Sequence, residues 1–213
     1  MATFFNDTLH EIDESFRQFL KRDRLGEENI DQVVRKIIER TRNEGDEALI
    51  QLTTEFDKYT CSPEQLIFSE EEINDASSNI SENQKHAIRL AAKRIHDYHE
   101  KQIPNNQDWS DHLGVRLGWR WSPIQVAGLY VPGGLAAYPS SVLMNAIPAK
   151  IAGVNKLIMT TPTPFGKINP LVLYAARVSG VDKIYRIGGA QAIAAMAYGT
   201  ETVVSVDKIV GPG

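Results

Sequence analysis

The chain has 213 residues, 42% of them hydrophobic and 23% charged, which is the profile of a soluble globular protein with one large domain or two smaller ones. A formal charge of -4 supplies no basic field for nucleic acid or an anionic membrane, and no segment approaches the roughly 18 apolar residues of a membrane span. A single cysteine, Cys61, rules out an internal disulfide framework, and the early acids of MATFFNDTLHEIDESF lack the order of a signal peptide, so a cytoplasmic protein is expected.

Residues 1–103 read as helices. Leu9, Ile12, Phe16, Phe19 and Leu20 follow helical spacing and predict a short first helix, and the charged stretch around Gly26 reads as a joint. Val33, Val34, Ile37 and Ile38 give an amphipathic helix that Gly45 interrupts, and another runs from Asp46 through Leu49, Ile50, Leu52 and Phe56. Ser69 with Glu72, and Ser81 with Gln84, are capping-box pairs. The second opens a long helix through Ile88, Leu90, Ala91 and Ile95 towards His99, which Pro104 and Asn105-Asn106 end. Val115, Leu117, Trp119 and Trp121 then alternate with polar or small residues, predicting a half-buried strand with the two tryptophans packed on one face.

From Ile124 strands and helices alternate. The runs 126–131, 156–160, 183–187 and 206–210 are predicted strands, separated by helices over 140–153, 169–180 and 190–199. Short apolar strands alternating with helices of about three turns are the signature of right-handed βαβ units in a parallel sheet. Each strand ends in Gly or Pro: Pro132-Gly133-Gly134, Thr161-Pro162-Thr163-Pro164, Gly188-Gly189 and Gly211-Pro212-Gly213. Ligands of such sheets bind outside the carboxyl ends of the strands, where glycine admits a close backbone approach and a following helix offers its positive end. Gly188-Gly189-Ala190-Gln191 has that arrangement most clearly, with Gln191 in the helix's first turn and its amide able to donate and accept. Tyr130 lies at a strand end, where a ring can pack on a ligand while its hydroxyl bonds to it. None of the loops is a G-x-G-x-x-G or a P-loop, so the residues alone support a ligand-binding α/β unit and no more.

Other chemistry-bearing residues are weaker. His96 and His99 share a helix face with Asp97 or Glu100 nearby, but a solvated face is the better reading than a metal site. Cys61 has no neighbouring base in Tyr59-Thr60-Cys61-Ser62-Pro63 and reads as structural. Asp207-Lys208 reads as a surface pair, and no nucleophile–base–orienter set can be assembled from spacing.

The runs Gly128-Leu129-Tyr130-Val131-Pro132-Gly133-Gly134 and Tyr138-Pro139-Ser140-Ser141-Val142-Leu143-Met144-Asn145-Ala146 resemble the histidinol dehydrogenase family. So do Arg186-Ile187-Gly188-Gly189-Ala190-Gln191-Ala192-Ile193-Ala194, Asp207-Lys208-Ile209-Val210-Gly211-Pro212-Gly213, and upstream Gly45-Asp46-Glu47-Ala48-Leu49 with Phe56-Asp57. The resemblance spans essentially the whole chain in order. Small departures are Val204-Ser205, where the family often has Pro-Lys, and Val126-Ala127, where Arg-Val is common.

The resemblance implies an α/β fold: a helical N-terminal region followed by a Rossmann-like parallel βαβ domain related to those of aldehyde dehydrogenases. Its divisions would be an N-terminal helical segment over 1–25, a helix-rich and incomplete part of a first domain over 26–125, and an incomplete NAD-binding domain over 126–213. It implies NAD-dependent oxidation of L-histidinol to L-histidine through L-histidinal, the last step of histidine biosynthesis, by a zinc-dependent homodimer. Tyr130 and Gln191 match family residues that contact NAD. A third contact, the Asn after G-P-G, and the family's zinc ligands, catalytic Glu-His pair and substrate residues match no position of this sequence, so the chain alone is expected to be inactive. Two other readings stand beside this one. A relative oxidising another small alcohol would keep the scaffold and change the substrate, and a non-catalytic nucleotide-binding fragment would keep neither zinc nor chemistry.

Overall fold

The computed structural model describes residues 30–133 and 138–212. The helix expected around Leu9–Leu20 lies outside them. Residues 30–44 are helical (α1), and Gly45, at φ 59°, turns the chain into α2, Asp46–Asp57. Both expected capping boxes form: Ser69 opens α3, Glu70–Ser78, and Ser81 opens α4, Glu82–His99, each serine accepting from the backbone N–H three residues on.

The α/β part holds four parallel strands, β3 (Val126–Tyr130), β4 (Lys156–Thr160), β5 (Lys183–Tyr185) and β6 (Lys208–Val210), in the order β5-β4-β3-β6. Helices α5 (Pro139–Ile151), α6 (Pro170–Val178) and α7 (Gly189–Tyr198) make the crossovers. The order runs outward from β3 to β5 and then returns to place β6 on the other side of β3. This reversal is a topological switch point, and ligands of open parallel sheets bind outside the carboxyl ends of the strands at such a point.

Alternation along the strands divides the apolar side chains between two cores. Ala127, Leu129, Leu157 and Met159 join α5 and α6 in one core, and Ile73, Ala76, Ile88 and Ala92 of α3 and α4 extend it as an outer layer. Ile158, Tyr185 and Ile187 face the second core with Ala192, Ala195 and Met196 of α7 and Leu49 of α2. Leu129, Leu157, Ile158 and Met159 are fully buried, each contributing roughly 1.5–3 kcal/mol through removal of apolar surface from water.

The segment Leu66–Phe68 closes the β5 edge. Phe68 N–H donates to Ile184 O at 2.9 Å and Arg186 N–H to Leu66 O at 2.8 Å, so an exposed row of strand groups is covered. Arg186, 5% exposed, fastens the join: its guanidinium lies 3.7 Å from the Phe68 ring centroid, donates to Gln65 O and Ile67 O, and pairs with Glu72.

Two expectations are corrected. The alternating segment at 115–121 is not half buried: β1 (Gln107–Ser110) and β2 (Arg116–Trp119) form an antiparallel hairpin exposed on both faces. Trp119 stacks edge-on with Trp109 of the opposite strand, centroids 5.3 Å apart, while Trp121 lies past the strand end, so the two tryptophans do not pack as a pair. Asp207 and Lys208 are both exposed, as expected of a surface pair, and Asp207 in addition accepts from Gln125 N–H and Val126 N–H at 2.9 and 2.8 Å and so fixes the start of β3 beside β6.

Helix α2 is tied to the α/β unit at its first residue. Asp46 N–H donates to Glu201 Oε2 at 2.8 Å, and the Asp46 carboxylate accepts from Thr200 Oγ1 at 2.6 Å, from Thr202 N–H and from Thr202 Oγ1. A side chain at Gly45 would run into the Glu201 carboxylate. Replacing the buried Asp46 with alanine strands these donors and is expected to cost about 2–3 kcal/mol in urea unfolding, with Asp46→Asn losing less.

Candidate functional site

Three strand-end loops meet at the carboxyl end of the sheet. After β3 the chain passes Val131, Pro132 and Gly133; after β4 it passes Thr161–Pro164; after β5 it reaches Gly188 and Gly189. Pro162 lies between the other two. A Cβ on Gly133 would stand 2.6 Å from Pro162 O, and one on Gly188 would strike the Pro162 ring. On the far side of β3, a Cβ on Gly211 would strike Tyr130 O. Side chains are excluded at these positions because neighbouring chain crosses there, and only glycine lets the loops pack this closely.

The structure brings both sequence-predicted site residues, Tyr130 and Gln191, to this end of the sheet. Tyr130, the last residue of β3, reaches over β4, and its hydroxyl accepts from Gly189 N–H at 3.1 Å. The phenolic proton stays available to a ligand acceptor. Gln191 stands in the first turn of α7, only 3% exposed, and its buried Oε1 has no hydrogen-bond partner among the described residues. An orphaned amide oxygen in such a place costs free energy unless a donor arrives from outside the protein. Gly189 adopts φ 64°, and a Cβ there would sit 2.7 Å from Gln191 Oε1, so this glycine is needed both for its backbone and for the room it leaves the amide. No acidic side chain occupies the first turn of α7, which leaves the positive end of that helix uncompensated.

Residues further off complete the frame. Asp57, the last residue of α2, accepts from Thr163 N–H at 2.9 Å; burial pushes its carboxyl above the ordinary range, and that bond partly offsets the rise. Thr163 is fully buried, and its hydroxyl has no partner among the described residues. Spacing gave no sign of Asp57, because its partner lies 106 residues away.

The remaining candidates separate from this site. His96 is exposed and His99 shares a ring nitrogen contact of 2.6 Å with Gln102 Oε1. Among the described residues no three His, Cys, Asp or Glu side chains gather as a metal cluster. Cys61 is buried in the second core, and burial raises its thiol, with Arg186 pulling the other way. A cleft of about 500 Å³ opens at the opposite, amino end of the strands, between His99, Ile103, Trp121, Pro123, Pro148 and Ile151. No helix among the described residues is long and apolar enough to cross a membrane.

Comparison with known proteins bears on what this site serves. The family model for histidinol dehydrogenase matches residues 20–213. The histidinol dehydrogenase of Ruegeria pomeroyi is 54% identical over 213 residues, all of this chain and 49% of that protein. That of Rhodospirillum rubrum is 55% identical over 199 residues, covering 93% of this chain and 46% of the relative. The crystal structure of histidinol dehydrogenase from Elizabethkingia anophelis superposes with a TM-score of 0.83 at 39% identity, covering 86% of this chain and 42% of that one. The chain thus spans about half the length of the curated relatives it matches.

Two measurements test the geometry. Gly189→Ala should cost about 1–2 kcal/mol, through a left-handed backbone that alanine resists and the displaced Gln191 amide. Because the folded-state thiol of Cys61 is raised, its thiolate is scarcer at pH 8 than in the unfolded chain. Iodoacetamide should therefore label the native protein more slowly than the urea-unfolded one, the gap narrowing as pH rises past the folded value.

Proposed function

The chain belongs to the histidinol dehydrogenase family, and from that premise we propose that its α/β unit forms part of the NAD site of an enzyme oxidising L-histidinol to L-histidine by way of L-histidinal. The observation that carries this reading is the buried, unpartnered Gln191 Oε1 beside the glycine-lined start of α7. A dinucleotide suits that place: its ribose hydroxyls and carboxamide offer donors to Gln191, and its phosphates suit the uncompensated helix end.

When bound, the nicotinamide supplies the acceptor for hydride leaving the substrate carbon. The protein's own contribution is binding and orientation. Tyr130, already held by Gly189 N–H, presents its ring as a packing face and keeps its hydroxyl proton for a ligand acceptor. Gln191 Oε1 takes a hydrogen bond from the cofactor and so removes its own burial penalty. Gly133, Gly188 and Gly211 let the loops around this place pack closely.

Zinc does not fit the described residues, which gather no cluster of three ligating side chains, and the exposed His96 is no substitute. In this reading the zinc ligands, the catalytic Glu-His pair and the substrate residues come from the part of the family's length that these 213 residues do not match, and the active species is a cytoplasmic homodimer of the longer chain. Saturation-transfer NMR with millimolar NAD should give cofactor signals with the 213-residue chain and lose them on Gln191→Ala. NADH production from L-histidinol with added zinc should stay at background; turnover near that of a full-length family enzyme would overturn this division of labour.

A further inference from the structure

We infer that Asp57 is a positioning residue for the cofactor site, acting through the loop between β4 and α6; the inference rests on the NAD reading above. Asp57 belongs to α2, outside the βαβ succession, yet its Oδ2 takes the Thr163 N–H at 2.9 Å. Thr163 directly follows Pro162, the residue wedged between Gly133 and Gly188. One carboxylate therefore holds the piece against which the loops after β3 and β5 are both seated.

Neighbouring features make this a clasp. Lys58, which caps α2, and Phe165, two residues past Thr163, are the two described non-glycine residues with left-handed backbone, at φ 54° and 57°. Such conformations persist only where surrounding contacts impose them. The aromatic ring of Tyr59 lies against Gly166, leaving no room for a Cβ there. Two short stretches far apart in sequence, 57–59 and 163–166, are thus locked to each other by a hydrogen bond and a ring contact. Thr163 has no alternative anchor in its side chain, whose buried hydroxyl is unpartnered. Its amide bond to Asp57 is partly buried, where a charge-assisted bond outweighs one exposed to water.

The loop's placement decides whether Pro162 presses Gly133 and Gly188 into register. Without Asp57 the loop is free to relax, and the Tyr130–Gly189 bond and the pocket around Gln191 loosen with it. Asparagine retains an acceptor oxygen of the same reach, so it should preserve the register. Glutamate keeps the charge but moves the carboxylate out by one methylene, so it should not.

The test uses the 213-residue chain with NAD as probe, compared among wild type, Asp57→Asn, Asp57→Ala and Asp57→Glu. Titration by saturation-transfer NMR should show the affinity for NAD falling about tenfold in Asp57→Ala and less than about threefold in Asp57→Asn. Amide signals of Gly133, Thr163 and Gly188 should move in Asp57→Ala and return towards wild type in Asp57→Asn. Where the alanine variant does not fold, Asp57→Glu replaces it with the same expected shifts. Unmoved Gly133 and Gly188 signals in the alanine or glutamate variant overturn the inference, as does NAD affinity within twofold of wild type. A wild-type chain that gives no NAD signal overturns the NAD reading instead, and the amide shifts then still decide the role of Asp57.

Discussion

Backbones at the carboxyl end of the sheet run closer together than side chains allow, and Pro162 is the point where this crowding is resolved. The loops after β3 and β5 both touch it, through Gly133 and Gly188, and neither glycine can be enlarged without moving backbone or the proline ring. The site follows from that constraint. With the loops brought this near, Tyr130 on β3 can span β4 and reach the amide of Gly189. The start of α7 is thereby tied to the end of β3, with Gln191 buried in its first turn and its Oε1 unpartnered among the described residues.

The parallel sheet was legible in the sequence because burial on both faces produces continuous apolar runs. KLIMT at 156–160 forms β4 over the same residues, and VAGLYV at 126–131 overshoots β3 by one residue only. Capping boxes were legible because their partners lie three residues apart. The hairpin was misread for a physical reason. Alternation of Leu117 and Trp119 with small or polar residues signals one buried face only if another layer covers it, and among the described residues none does. The contacts that organise the site were invisible for a different reason. Asp57 meets Thr163, Asp46 meets Glu201 and Arg186 meets Glu72 across 106, 155 and 114 residues, and no local pattern encodes such a pairing.

The helices before the sheet are divided between its two sides. Helices α3 and α4 lie on α5 and α6, with Arg89 donating to the Tyr174 hydroxyl at 2.8 Å, and they thicken one core. Helix α2 lies on the other side and runs along it: Asp46 meets residues 200–202, past the end of α7, and Asp57 meets Thr163 in the loop at the carboxyl end of β4. Family membership explains why the whole chain matches its relatives in order, and this division explains how a helix from the first region comes to frame a site built by the second. His96 is exposed on α4, and half-buried His99 lines the cleft at the amino end of the strands, so neither belongs to that frame.

The anchoring of α2 also bears on the order in which the molecule assembles. Its bonds to Thr163 and Glu201 close loops of more than 100 residues, so the chain gains nothing from them until the segments carrying those partners are themselves in place. Crossovers such as β3-α5-β4 close over a few tens of residues and can condense first. Helix α2 then docks onto a sheet already formed, and the clasp at Asp57 closes late. A segment early in the sequence is thus among the last to reach its native contacts.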